Sequence, residues 1–243
     1  MRYKITLSYW GKHYHGWQFQ PNQVNLQQTF EEALSLAFQE KINIVGAGRT
    51  DTGVSAKKYI AHFDTDQTIN DKDKFIFKIN TLLPADIALQ NIEKTCDNFH
   101  ARFDANERTY QYQVTQLKNP FLIDSAYFIK NKIDFDIMNE ACDILKKHTN
   151  FKAFSKVKTN VYTFNCEIYE AKWFAKDDYY IFEIKANRFL RNMVRAIVGT
   201  LIEVGLHKIN LDDFEKIIIS QDRRNAGKSV PAHALFLTDI GYN

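Results

Sequence analysis

The segment VGAGRTDTGVSA, residues 45–56, constrains this chain more tightly than any other. It sets three glycines, one arginine and one aspartate between two apolar runs, INIV before it and YIAHF after it. Short runs of β-branched and aromatic residues read as strands, and a glycine cluster between them reads as a sharp loop. Two familiar glycine motifs fail here. A dinucleotide-binding G-x-G-x-x-G would need a third glycine where Asp51 stands, and a carboxylate there would face the pyrophosphate. A phosphate-binding loop has the spacing of Gly48 to Gly53, but Val54 occupies the place of the phosphate-gripping lysine. What remains is a turn whose glycines allow positive φ and which displays Arg49 and Asp51 two positions apart. That arrangement suits a charged pair in a cleft.

The 243-residue chain is long enough for a substantial core, as one large or two modest domains. The first residues, MRYKITLSYW, carry charge without the apolar run of a signal peptide, and no stretch approaches ~20 apolar residues, so the expectation is a soluble, cytoplasmic protein without membrane contact. Cys96, Cys142 and Cys166 are odd in number and widely spaced, which argues against a disulfide framework and a zinc site.

Net charge is only +3, from 32 Lys+Arg against 29 Asp+Glu, short of the basic excess that announces nucleic-acid binding by itself. The distribution is more telling. Arginine is scarce and gathers in short segments: Arg49; Arg102 and Arg108; Arg188, Arg191 and Arg195; Arg223 and Arg224. Guanidinium groups are favoured where phosphate or carboxylate is gripped bidentately.

Periodicity gives the element order. KITLSYW reads as a strand; Asn25, with Gln28 three residues on, is an N-cap; and Leu26, Phe30, Ala33, Leu34, Ala37 and Phe38 recur at helical spacing. INIV and YIAHFDT flank the glycine loop as strands, a helix over 72–83 stops before Pro84, and DIALQNIEK is extended again. NERTYQYQVTQ alternates as a strand, and LKNPF marks a boundary, giving halves 1–118 and 119–243. The second half repeats the scheme with a helix near 136–148, strands near 161–174 and 179–186, helices near 188–204 and 211–220, and a last strand in ALFLTDIGY. Two α+β halves, each an antiparallel sheet with helices on one face, follow. Ligands are expected in the central cleft between them.

Two further segments could carry chemistry. On a helix over 188–204, Phe189, Met193, Ala196, Ile197, Thr200, Leu201 and Val204 would form the buried face, while Arg188, Arg191 and Arg195 at i, i+3 and i+7 would form a cationic stripe facing an RNA backbone or a carboxylate, or simply solvent. In FHARFDANERTYQY, Tyr110 and Tyr112 alternate onto one strand face, as core or as functional rings. Tyr110 with Arg108 could offer a ring for stacking a base and a cation for a phosphate.

GRTDTGV, FHARFDANERTYQY, the GWQFQ near the start and KANRFLRNMVRAIVGTLIEVG, in this order across nearly the whole chain, resemble the tRNA pseudouridine synthase A family. The resemblance implies a cofactor-free, metal-free isomerase. It would cleave the N-glycosidic bond of a uridine in the 3′ part of the tRNA anticodon stem-loop, rotate the bound base and rejoin it through carbon. It also implies a homodimer with the pseudouridine synthase fold, two ferredoxin- or RRM-like halves sharing a continuous antiparallel sheet. In the family pattern, Asp51 is the essential residue, Tyr110 contacts the target base, Arg191 is the ion-pair partner of the aspartate, and Arg49 holds the flipped-out nucleotide. Arg108, Arg188 and Arg195 would contact RNA.

Physical chemistry supports these roles. A guanidinium lowers a neighbouring carboxylate's pKa against the effect of burial, keeping it ionised. Uracil leaves as a resonance-stabilised anion, so one carboxylate can serve where a glycosidase needs two. Thr52, Ser55, Lys58 and Ala234 depart from the family's usual residues, which leaves room for another RNA target. A non-catalytic RNA-binding protein gives no reason for an acid beside the loop arginine. A sugar-cleaving hydrolase lacks its second carboxylate, since Asp64 and Asp66 lie at an ordinary strand end.

Overall fold

The structure, a computed structural model, describes residues 1–157 and 161–242. It is an α+β fold, with a mixed sheet of nine strands and five α-helices among the described residues. The chain divides into two compact units, one of residues 1–106 and 236–243, the other of residues 107–235.

The first unit begins with β1 (Arg2–Tyr9), whose odd residues Tyr3, Ile5, Leu7 and Tyr9 are buried while the even ones are more accessible, the alternation of a half-buried strand. Helix α1 (Leu26–Phe38) starts where Asn25 Oδ1 accepts the Gln28 N–H at 2.9 Å, and it buries Leu26, Phe30, Ala33, Leu34 and Phe38 as one stripe. Strand β2 (Ile44–Gly46) pairs antiparallel with β3 (Ser55–Asp64), which also pairs with β1. Helix α2 (Lys72–Leu82) is capped by Asp71 and ends at an extended Leu83, because the residue before a proline is driven from the helical region. Strand β4 (Ile87–Thr95) then lines up antiparallel on the other edge of β1.

In the second unit, β5 (Ala105–Thr115, most of its length) pairs with β8 (Tyr179–Ala186), which pairs with β7 (Ile168–Lys176); β6 (Tyr127–Phe128) adds a short edge. Helix α3 (Phe135–Leu145) is capped by Asp134, α4 spans Met193–Gly205 and α5 spans Leu211–Ser220. Nearly every residue of α4 is buried, so it is a core helix without a solvent face. Each fully buried aliphatic side chain on it contributes about 1.5–3 kcal/mol. The last strand, β9 (Leu235–Tyr242), is counted almost entirely with the first unit, where it lies beside β3.

Three expectations change. The pairing is mixed, since β9 runs parallel to β3 (Ser55 opposite Phe236) and β6 parallel to β5; neither pair is joined by a tight hairpin that would fix an antiparallel direction. The strand expected from 161 begins at Ile168. The helix expected from 188 begins at Met193, which removes Arg188 and Arg191 from it and dissolves the cationic stripe.

Candidate active site

The glycine loop is a braced turn. Gly46 ends β2, and the Ala47 N–H still reaches the Ile60 carbonyl at 2.9 Å before the chain leaves the sheet. The return is closed by the Val54 N–H donating to the Asp51 carbonyl at 3.1 Å, with Gly53 at φ +79° in the third position, where a side chain would be strained. Gly46 and Gly48 do not take positive φ, so conformational freedom explains only Gly53. Gly46 is needed for space instead. A Cβ there would run into the Tyr59 hydroxyl and lie 2.7 Å from the Trp17 ring nitrogen, whereas Gly48 faces open space.

Thr50 is the pivot. It is 8% exposed, its hydroxyl lies 3.0 Å from that of Tyr9, and its carbonyl accepts the Trp17 N–H at 3.3 Å. Burial of Thr50 leaves Arg49 exposed and Asp51 half-buried on the two sides of an anchored residue. Beneath the loop the Trp17 and Tyr59 rings stack at 4.0 Å and 29°, and the Tyr59 hydroxyl donates to the Gly48 carbonyl. Gly16, at φ +87°, lets the neighbouring segment approach the Thr50 carbonyl, and the Gly53 N–H donates back to Tyr14.

Arg49 is oriented through a chain of amides. Its Nε donates to Gln18 Oε1 at 3.2 Å, and Gln18 Nε2 donates to Gln27 Oε1 at 3.0 Å in the first turn of α1. GWQFQ thus supplies both the aromatic floor, through Trp17, and the support for the arginine, through Gln18. Sequence reasoning named neither residue, although their motif was visible.

Ser55, Lys58 and Ala234 have structural work here. Ser55 Oγ accepts the buried Gly11 N–H at 3.0 Å, Lys58 pairs with Asp239, and Ala234 is fully buried.

In the second unit the two tyrosines of β5 separate in role. Tyr112 is fully buried opposite Phe182, its hydroxyl donates to the Pro231 carbonyl at 2.9 Å, and burial pushes its phenol well above the ordinary range. It is core. Tyr110 is half-buried, with the Phe189 ring edge-on at 5.2 Å and 90°, which fixes the phenol ring while leaving part of it accessible. Arg108 Nη1 donates to the Asn187 carbonyl at 2.8 Å, so this side chain fastens the start of the arginine turn.

That turn, residues 187–192, joins β8 to α4. Leu190 is buried beneath it, Arg188 is half-buried, Arg191 is exposed, and Asn192 takes a left-handed conformation at φ 66° just before the helix. The Arg191 carbonyl accepts the Lys156 N–H at 3.0 Å. Arg195 lies inside α4, where its Nε donates to the Val230 carbonyl at 2.8 Å.

The chain matches the family model described as tRNA pseudouridine synthase over residues 5–104 and 145–243. It is 50% identical over 241 residues to the tRNA pseudouridine synthase A of Parabacteroides distasonis, covering 99% of this chain and 96% of that protein. It is also 48% identical over 242 residues to the tRNA pseudouridine synthase A of Bacteroides fragilis, with 99% and 96% covered. The corresponding protein of Dictyoglomus thermophilum is 39% identical over 245 residues, spanning both chains in full. The chain belongs to the tRNA pseudouridine synthase family. Membership makes it an enzyme, an isomerase. The matched segments of this synthase hold both the glycine loop and the arginine turn, while Arg108 and Tyr110 fall between them. No helix among the described residues is long and apolar enough to cross a membrane.

Proposed function

We propose that this synthase converts uridine to pseudouridine in the anticodon stem-loop of tRNA, with Asp51 as the nucleophile. The braced loop carries the reading. A carboxylate whose backbone is pinned on one side by buried Thr50 and on the other by the turn at Gly53 is held before substrate arrives, and preorganisation of that kind lowers the cost of reaching the transition state.

The target base is stacked in RNA and has to be extruded before its sugar is accessible. Arg49, supported by Gln18, holds the flipped-out nucleotide, and Tyr110, braced by Phe189, stacks on the target base. Arg191 takes the counter-ion role given by the family resemblance, and Arg108, Arg188 and Arg195 strengthen the basic surroundings. The C1′–N1 bond breaks with its electron pair going to the uracil ring. Asp51, as the nucleophile, bonds to the sugar carbon C1′ as the base departs. The base then turns, C5 bonds to C1′ as the Asp51 carboxylate leaves that carbon, and the C5 proton is lost while N1 takes one up, so that product and substrate have equal mass. The same reading has the enzyme work without a cofactor, as a homodimer in the cytoplasm.

Asp51→Asn tests this. The variant is expected to bind tRNA but leave no carbodiimide-dependent stop at the target uridines in primer extension; undiminished stops would overturn the reading.

A further inference from the structure

Asn192 stands at the position before a helix where asparagine usually caps, yet its side chain makes no capping bond. Its Nδ2 donates instead to Ser229 Oγ at 2.6 Å, across 37 residues of sequence. The same oxygen accepts from Arg223 Nη2 at 3.0 Å, and Arg223 Nη1 donates to the carbonyls of Ala226 and Gly227 at 3.1 and 3.0 Å. Partial burial draws this guanidinium's pKa below its usual value, and its three acceptors are uncharged.

Segment 226–231 is itself strapped to α4. The buried Gly227 N–H donates to Thr200 Oγ1 at 2.9 Å, and Val230 and Arg195 exchange hydrogen bonds in both directions at 3.2 and 2.8 Å. A Cβ on Gly199 would run into the Lys228 carbonyl, and one on Gly227 would lie 3.0 Å from the Gly199 and Thr200 backbone. The two backbones therefore touch directly, and the strap is a fixed reference for the residues before the helix.

Asparagine adopts positive φ more readily than most residues, and here its side-chain bond to Ser229 holds it there. Asn192 is held this way directly after Arg191, so its conformation sets the direction in which Arg191 leaves the backbone.

We propose that Asn192, Ser229 and Arg223 form a positioning relay that holds Arg191 in its working orientation. The relay rests on the role given to Arg191 above, and the test separates the two. Ser229→Ala removes the shared acceptor. It is expected to lower kcat roughly 10- to 100-fold, the scale of a small misplacement of a reacting group, with KM, tRNA affinity and melting temperature nearly unchanged. Ser229→Thr keeps the oxygen and restores the rate. Asn192→Gly keeps the backbone conformation but loses the amide, and it slows turnover as Ser229→Ala does. Because the relay acts through Arg191, the double variant Arg191→Ala/Ser229→Ala is no slower than Arg191→Ala alone. A wild-type rate for Arg191→Ala would overturn the role of Arg191 and the relay with it. A slow Arg191→Ala combined with an unaffected Ser229→Ala, or with losses that multiply in the double variant, would overturn the relay alone.

Discussion

The glycine loop around Asp51 and the arginine turn around Arg191 are both irregular, both held by hydrogen bonds to distant segments, and unequally legible in sequence. The loop announces itself through Gly46, Gly48 and Gly53, residues that no strand or helix would gather. The turn lies in KANRFLRNMVRAIV, which has neither glycine nor proline and satisfies a helical period as far back as Phe189. Its helix nonetheless starts at Met193, because Asn192 bonds to Ser229 and takes φ 66°, a value incompatible with helix continuation. An irregular segment is readable when its own residues demand it, and hidden when a remote partner imposes it.

The largest expected effect separates chemistry from scaffold. Asp51→Asn lowers single-turnover pseudouridine formation on the order of 10⁴-fold while thermal unfolding stays within about 1 °C of the parent. A large drop in melting temperature would mean that the loop depends on this carboxylate, breaking the contrast with the relay-held turn.

The loop's glycines should then divide by the space around them. Gly46→Ala forces a methyl group against Tyr59 and Trp17 and costs roughly 3 kcal/mol in denaturant unfolding. Gly48→Ala, into open space at ordinary φ, stays within about 0.5 kcal/mol. Equal costs would show that the loop needs flexibility, not room.

The strap beside the arginine turn has a matching prediction. Thr200 is fully buried and accepts the Gly227 N–H, so Thr200→Val leaves that donor without its acceptor and costs about 2 kcal/mol. Unchanged stability would mean that the strap is held by packing alone.

A pH dependence tests the frame of the loop, where His62 of β3 pairs with Val45 of β2. His62 Nδ1 accepts the Ala101 N–H at 3.1 Å, which requires that nitrogen to carry no proton. Burial, then the charges of Arg2 and His100, opposed by Asp64 and Asp104, lower its pKa to about 4 from 6.5. The unfolded chain therefore binds more protons between those values, so the His62 contribution is complete above pH 6.5 and is lost as pH falls toward 4. Melting temperature followed from pH 7.5 to 4 shows this loss, and His62→Gln, which keeps an acceptor, flattens that part of the curve. An identical profile for the variant would assign the acid sensitivity elsewhere.

Much of the first unit was readable because its signals are local. Asn25 caps α1 as its side-chain chemistry prefers, the stripe from Leu26 to Phe38 faces inward, and Pro84 ends α2 one residue early through its effect on Leu83. The candidate site was readable in part. Arg49 and Asp51 stand out by residue type, but Gln18, Trp17 and Tyr59, which hold them, look in sequence like any polar or aromatic residues. Tyr110 and Tyr112 are indistinguishable by pattern, and only the burial of Tyr112 against Pro231 makes one core and leaves the other half-open.

The sequence alone determined the α+β class, the sharp loop that carries Arg49 and Asp51, and the family, since each is written in the order and spacing of neighbouring residues. Tertiary structure alone decided that β9 returns in parallel to β3, that Arg191 lies on a turn and not a helix, and that Asn192 answers to Ser229. Those outcomes depend on contacts across tens to hundreds of residues, whose energies outweigh the fractions of a kcal/mol by which local propensity favours one backbone conformation over another.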